Sequence, residues 1–367
     1  MKIRSIDAIP VRVPRTHASR SAFGRRIHTN AGIVRVETDV GLTGWGEISL
    51  VWWREGSGLC SAVRELLAPS LIGEDPSEVT RLGQRMEACL PGRHDAPARA
   101  AVEIALLDIV GQHACVPLHV LLGGRCRSHV PLSYSVHMDT EERMQRAALD
   151  KVDEGFTTVK VKVGRDWHED LMAVYAVREA VGPDVQLRVD VNEAWRTVAE
   201  AVKRSGDLAG ADLEVLEQPL PASDVAGLAE LRQRIDIPIA ADESVWSPDD
   251  AWRLLRNRAV DVLNVYVSES GGPFAARGIT ELARFAGARS WVGSMPELGI
   301  GTAAILHVAA AMPELDLACD ACGSLYHEAD LLTSPLVVAD GEAEVPTAPG
   351  LGVEVDEEEL KRWRTDR

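Results

Sequence analysis

The sequence predicts an α/β fold: a (β/α)8 barrel of the TIM type preceded by an α+β domain. Three observations predict it. Short strand-like apolar runs alternate with helical runs from about residue 129 onward, and eight such strands can be counted. The chain has 367 residues, more than the roughly 250 a barrel needs, so a second domain has room. Apolar residues make up 46%, enough to fill a large core.

The elements follow in order. MKIRSIDAIPVRVP alternates as a strand, and AGIVRVETDVGLTGWGEI reads as a hairpin turning at Asp39, Val40 and Gly41. Residues 15–30 lie between these strands. They are polar and rich in Arg and His, which predicts a flexible loop. ARAAVEIALLDIVGQHA has apolar residues at helical spacing. Gly123 and Gly124 then mark a boundary, giving a first domain over 1–126. The barrel spans 127–330. Its expected strands are VPLSYSV, TTVKVKV, QLRVDV, LEVLEQ, IPIAAD, AVDVLNVYV, RSWVGS and LDLACD. EERMQRAALDKVDE, DLMAVYAVREAVG and ITELARFAGA are among the helices between them. From Leu331 the chain is again strand-like and turn-rich. It cannot extend a finished barrel, so 331–367 is expected to return to the first domain.

Charge and cysteine content narrow the function. The formal net charge is −17, which argues against nucleic acid or an anionic membrane as partner. For an anionic substrate, a metal and local Lys or Arg would have to reverse the field at the site. Six scattered cysteines, with only Cys319 and Cys322 close together, read as reduced thiols rather than a zinc site. The N-terminus has no long apolar segment and no stretch approaches a membrane span, so a cytoplasmic, soluble protein is expected.

The chemistry lies in the polar residues at strand ends, the face where barrels of this kind act. Asp190 ends QLRVD, Glu217 ends LEVLE and Asp242 ends IPIAAD, each one β/α unit after the last. Taken singly, each could cap a helix or pair with a lysine. Together they point into one small space, where three negative charges repel unless a cation neutralises them. Oxygen-only ligands favour a hard ion, Mg²⁺, with Mn²⁺ as the alternative. One strand earlier, Lys160 and Lys162 stand at i and i+2 and share a face. Helices cover the outside of a barrel, so this face is the mouth. Adjacent ammonium groups are expected to lower each other's pKa, making one amine available as a base. Lys162, nearer the strand end, is the expected base. The combination implies removal of a proton next to a carboxylate, with the cation and ammonium groups opposing the negative charge that develops.

These motifs resemble the enolase superfamily, in its muconate lactonizing enzyme subgroup of muconate cycloisomerases, o-succinylbenzoate synthases and dipeptide epimerases. GLTGWGE and ALLDIVGQHACVPLHVLLGG are similar to the family's N-terminal capping domain. KVK, RVDVNEAW, LEQP, ADES, GGP and ELGIGTAAILH are similar to its successive barrel motifs. The resemblance covers nearly the whole chain. It implies that Asp190, Glu217 and Asp242 bind Mg²⁺, that Lys162 is the acid/base group with Lys160 beside the substrate carboxylate, and that Asn192 and Glu243 support the ligands. It implies specificity loops near 15–30 and 48–57, the second carrying Trp52, Trp53 and Arg54 against a small-molecule carboxylate. It also implies a homo-oligomer.

One position departs from the pattern. The sixth strand carries Tyr266 where the family usually has a lysine. With an unperturbed pKa of about 10, a tyrosine is a poor base. It can donate a proton, hydrogen-bond an intermediate, or only pack against substrate. Racemisation between two lysines is therefore set aside, while one-base β-elimination or cycloisomerisation by Lys162 stands. A His–Asp dyad of the mandelate type is not visible near WVGSMPE. Asp320 lies where relatives place a substrate-facing carboxylate, as an ammonium ligand or acid, unless it only caps a helix. The alternatives are a racemase or epimerase using Lys162 and Tyr266, and a catalytically silent metal-binding relative. The intact KVK motif speaks against the second.

Overall fold

The computed structural model describes residues 1–51, 55–315 and 317–366. Strand β1 (Ile3–Ser21), β2 (Gly24–Thr38) and β3 (Thr43–Ile48) form an antiparallel sheet in that order. Helix Ala96–Ala114 lies across it. The close approach is made possible by Gly44 and Gly46, where an added Cβ would run into the backbone of Ala105 and Ala101. Buried Asp108 on this helix accepts from Trp45 N at 3.0 Å and from Leu351 N at 2.9 Å, tying helix, sheet and C-terminal segment together.

Residues 15–30 correct the expectation of a loop. They are the outer arms of β1 and β2, paired at Ser19–Arg26, Arg20–Arg25 and Ser21–Gly24 after a register shift beyond Pro14. Polarity misled because it marks solvent only where polar groups lack protein partners. Here Arg15 donates to Thr29 and Ser19 across and along the arms, and all three are buried.

Seven parallel strands follow: β5 (Ser133–Val136), β6 (Thr158–Lys162), β7 (Gln186–Asp190), β8 (Leu213–Glu217), β9 (Ile239–Ala241), β10 (Val262–Val265) and β11 (Arg289–Val292). A short β4 (His129–Pro131) precedes them. Their order in the sheet is their order in the chain, the mark of repeated β/α crossovers. The strands are Val-, Leu- and Ala-rich because both faces are covered. Several crossover helices begin at side-chain caps, including Asp166, Thr197, Asp224 and Ser247.

The eighth expected strand, LDLACD, is not a regular strand among the described residues. Cys319 makes an isolated parallel bridge to Leu132. Its N–H donates to Pro131 O at 2.8 Å, its carbonyl accepts from Ser133 N at 2.7 Å, and Asp320 N donates to Val292 O at 3.0 Å. The segment thus touches both edges of the curled sheet, but the chain turns at once, with Cys322 N on Asp320 O, and no ladder develops. The C-terminal part divides its contacts. β12 (Val338–Ala339) and β13 (Glu342–Glu344) extend from β4, while Thr365 N donates to Pro10 O of β1 at 2.9 Å.

Candidate metal and acid–base centre

Register brings the site together. Parallel pairing sets Lys162 beside Asp190 and Asp190 beside Glu217, so β6, β7 and β8 end at one level. Asp242 follows β9 directly. All three carboxylates are buried, and one oxygen from each lies within 4.8 Å of the others. Asp242 Oδ1 has no hydrogen-bond partner among the described residues. A buried carboxylate oxygen left unsatisfied is costly. An all-oxygen donor set with such an atom fits a hard divalent cation.

Lys160 and Lys162 share a face, as their spacing requires. Lys162 Nζ is ion-paired with Asp190. Lys160 Nζ lies 2.6 Å from Asp320 Oδ2 and 3.0 Å from Glu217 Oε2. Lys160 does act to depress the pKa of Lys162, as expected, but the net direction is corrected. Burial does oppose the charge on both, but Asp320 and Glu217 around Lys160, and Asp190 beside Lys162, outweigh it and raise both. The carboxylates respond in kind. Burial, then mutual repulsion, pushes Glu217 up and Asp242 and Glu243 well up. Burial would raise Asp320 too, but Lys160 and Arg188 hold it low.

The supporting residues are layered around this cluster. Asn192 donates to Glu243 Oε1 at 2.9 Å and to Asp190 Oδ2 at 3.3 Å. Its backbone is left-handed, at φ 46°, a conformation asparagine tolerates better than most residues. Tyr266 is buried just after β10. Its hydroxyl donates to Asp242 Oδ2 at 3.3 Å and accepts from Asn264 Nδ2 at 3.3 Å. Burial, with Asp242 next, drives its pKa well above 10, so the phenol stays protonated. Asp320 is engaged on both oxygens: Ser133 donates to Oδ1, and Lys160 and Trp291 Nε1 donate to Oδ2. Trp52, Trp53 and Arg54 lie outside the described residues.

Two supporting residues escaped the sequence reading. Asn264 donates to Glu217 Oε1 at 2.9 Å. It stands two residues before Tyr266, so strand parity could have placed it on the same face. Gln218 Oε1 accepts from Asp242 N, Ser244 N and Ser244 Oγ, fixing the turn that aims Asp242. No periodicity marks it, because its role depends on a contact between neighbouring strands.

Carboxylates from three successive strand ends, facing two lysines from a fourth, are the arrangement of an enzyme able to do acid–base chemistry beside a group that could hold a divalent cation. Comparison with known proteins agrees. The family described as "Enolase C-terminal domain-like" matches residues 143–359, and the "Mandelate racemase / muconate lactonizing enzyme, N-terminal domain" matches residues 5–123. The chain belongs to this mandelate racemase/muconate lactonizing enzyme family of the enolase superfamily. It is 32% identical to the L-Ala-D/L-Glu epimerase of Bacillus subtilis, over 96% of this chain and 97% of that one. It is 29% identical to the N-succinyl-L-Arg/Lys racemase of Bacillus cereus, over 98% and 97%. The muconate lactonizing enzyme of Pseudomonas fluorescens, solved with muconolactone, superposes with a TM-score of 0.95 at 31% identity, covering 99% of each chain.

Proposed function

We propose that this enzyme uses Lys162 to remove the α-proton of a small carboxylate substrate, and that the resulting enolate goes on to β-elimination or cycloisomerisation. The observation that carries this is the paired placement of Lys162 on Asp190 and Lys160 on Glu217 and Asp320, in the lining of a cleft that Tyr266 also lines. Asp190, Glu217 and Asp242 would hold Mg²⁺, or Mn²⁺ in its place. Bound there, the ion supplies positive charge where the substrate carboxylate gains negative charge. It would also neutralise the carboxylates that now hold both lysines protonated, which favours release of a proton from Lys162. Lys160, fixed by Asp320, presents an ammonium to the substrate carboxylate. Asn192 and Glu243 orient Asp190. One lysine with a protonated tyrosine opposite suits a reaction in which the same base takes and returns the proton on one face.

Replacing Lys162 with Ala should abolish α-proton exchange in D₂O across a library of carboxylic acids while Mg²⁺ still binds. Full exchange in that variant would sink the reading. A second reading, racemisation or epimerisation with Tyr266 as the opposite-face donor, is favoured by the epimerase and racemase among the relatives. Exchange in D₂O by the unaltered enzyme separates them: deuterium incorporation with inversion supports the second, and incorporation with retention supports the first.

We also read the curled sheet as a (β/α)8 barrel closed by residues 317–320, supported by the hydrogen bonds of that segment to both edges. The domain division 1–126, 127–330 and 331–367 belongs to the same reading. A homo-oligomer belongs to the same reading, as the resemblance to the family implies. A cytoplasmic location is supported by six cysteines, all free. No helix among the described residues is long and apolar enough to cross a membrane.

A further inference from the structure

We propose that Arg188, Trp291 and Glu214, none of which lines the cleft, are positioning residues for the reaction: they hold Asp320, and through it the Lys160 ammonium, toward the substrate carboxylate. The proposal rests on the reading of Lys160 as the group that meets that carboxylate.

Arg188 is out of keeping with its place. It stands in β7 directly beside Lys160 of β6, on the face that Asp190 shares, and it is wholly buried. The interior of such a curled sheet is ordinarily filled by Val, Ile and Leu. An ion pair there is a weak source of stability, because desolvation of both charges offsets their attraction. Arg188 nevertheless has a partner made for it. Pairing of β7 with β8 runs Leu187 with Leu213 and then Arg188 with Val215, so Glu214 is an extra residue, a bulge. Strict alternation would turn Glu214 away from the face that Val215 shares with Arg188. The bulge re-aims it, and Arg188 Nε donates to Glu214 Oε2 at 2.6 Å. Arg188 Nη1 donates to Ala318 O at 2.9 Å, just ahead of Asp320 in the chain. These two bonds fix the guanidinium plane.

The plane is fixed against Trp291. This indole comes from β11, four strands away from β7 in the sheet, and meets Arg188 across the interior. The guanidinium carbon lies 4.5 Å from the ring centre, and Lys160 Nζ lies 5.9 Å from it. At both distances the ring attracts a positive charge. Trp291 is also wholly buried, and its Nε1 donates to Asp320 Oδ2 at 3.2 Å. The same oxygen accepts from Lys160 Nζ at 2.6 Å, while Ser133 donates to the other. One indole thus touches Arg188, Asp320 and Lys160 together.

The arrangement gives Lys160 a direction. A lysine ammonium is a point charge on a flexible stem, so its counter-charges decide where it points. Glu217, at 3.0 Å, is one of them, but Glu217 is also wanted by a divalent cation. Asp320 is the anchor that leaves Glu217 available. Burial would raise the Asp320 pKa, but Lys160 and then Arg188 hold it low, so the carboxylate keeps accepting. Without Arg188 or the indole N–H, Asp320 loses a fixed neighbour and the ammonium loses its aim.

The test uses the full-length Mg²⁺-loaded protein and oxalate, whose flat dianion resembles a carboxylate that has lost its α-proton. Titration calorimetry at one Mg²⁺ concentration reads the affinity. Lys160→Met should weaken oxalate at least about tenfold, the worth of a charge-assisted hydrogen bond. Trp291→Phe keeps a ring and removes the N–H, and should weaken oxalate about threefold to tenfold. The pair Arg188→Met with Glu214→Gln removes both buried charges. It should weaken oxalate to the same degree, with Mg²⁺ affinity kept and the melting temperature unchanged or raised. In the Lys160→Met background neither change should cost more than about a further twofold, because the group they aim is gone. A packing role alone would weaken oxalate equally in both backgrounds. If one of the two variants fails to fold, the other decides. Full oxalate affinity in either, equal losses with and without Lys160, loss of Mg²⁺ binding, or failure of both to fold overturns the proposal. So does oxalate binding that Lys160→Met leaves untouched, or no oxalate binding by the unaltered protein. These outcomes are separate from the base assignment, which falls only if α-proton exchange survives Lys162→Ala.

Discussion

Tyr266 stands where the resemblance to the family implies a lysine. Its hydroxyl spans Asn264 and Asp242, so it both touches the cleft and steadies the Asp242 carboxylate. Tyr266→Phe removes that hydroxyl and keeps the ring. If the phenol donates to the reacting molecule, kcat should fall about tenfold to a hundredfold while α-proton exchange by Lys162 persists. A ring that only packs would leave kcat within about twofold. Steady-state rates and exchange by NMR, read side by side, make the distinction. At this scale the sequence was informative about identity but poor on ionisation. Strand parity placed Lys160 and Lys162 together. It did not reveal that Asp190, Glu217 and Asp320 surround them and reverse the direction of their pKa shifts.

The elements show a similar division. Strand ends at Asp190 and Glu217 were legible because apolar runs break off at a charged residue, and β7 and β8 do end there. The arms of β1 and β2 were not, since their polar residues are satisfied by contacts remote in sequence, such as Thr29 with His327. The eighth expected strand forms no ladder because the segment makes one bridge among the described residues, Cys319 with Leu132. Gly46 offers a direct test of element packing. Gly46→Ala should destabilise the protein by about 1–3 kcal/mol, because the methyl meets the Ala101 backbone and the helix cannot move without its neighbours. A midpoint shift in urea unfolding measures this. Gly83, which faces open space, should accept alanine with a far smaller change.

For the whole molecule, stability should depend on the cation and on pH. Without a counter-ion, three buried carboxylates repel, so EDTA should lower the melting temperature and Mg²⁺ should restore it in a concentration-dependent way. A melting curve indifferent to both would count against the site. The joint between the first sheet and helix Gly299–Ala311 has its own pH dependence. Glu47 on β3 accepts from Leu298 N and Gly301 N, each at 2.8 Å, at the start of that helix. Burial, with Glu297 nearby, pushes its pKa up to about 8. A carboxyl whose folded pKa lies above its unfolded value of 4.5 favours folding fully below that value and loses the contribution as pH rises through about 8. The melting temperature should therefore decline between about pH 4.5 and about pH 8, and Glu47→Gln should flatten the decline. An unchanged slope in the variant would assign the pH dependence to other groups.

The order of strands in the sheet carries a consequence for the history of such enzymes. The three carboxylates and Tyr266 are delivered by four different strands and crossovers, so one can be exchanged while the rest keep their places. Asp190, Glu217 and Asp242 come from β7, β8 and the end of β9, whereas residue 266 follows β10. A lineage built this way can inherit half of a reaction unchanged and rewrite the other half at a single position. Position 266 is placed to be such a position.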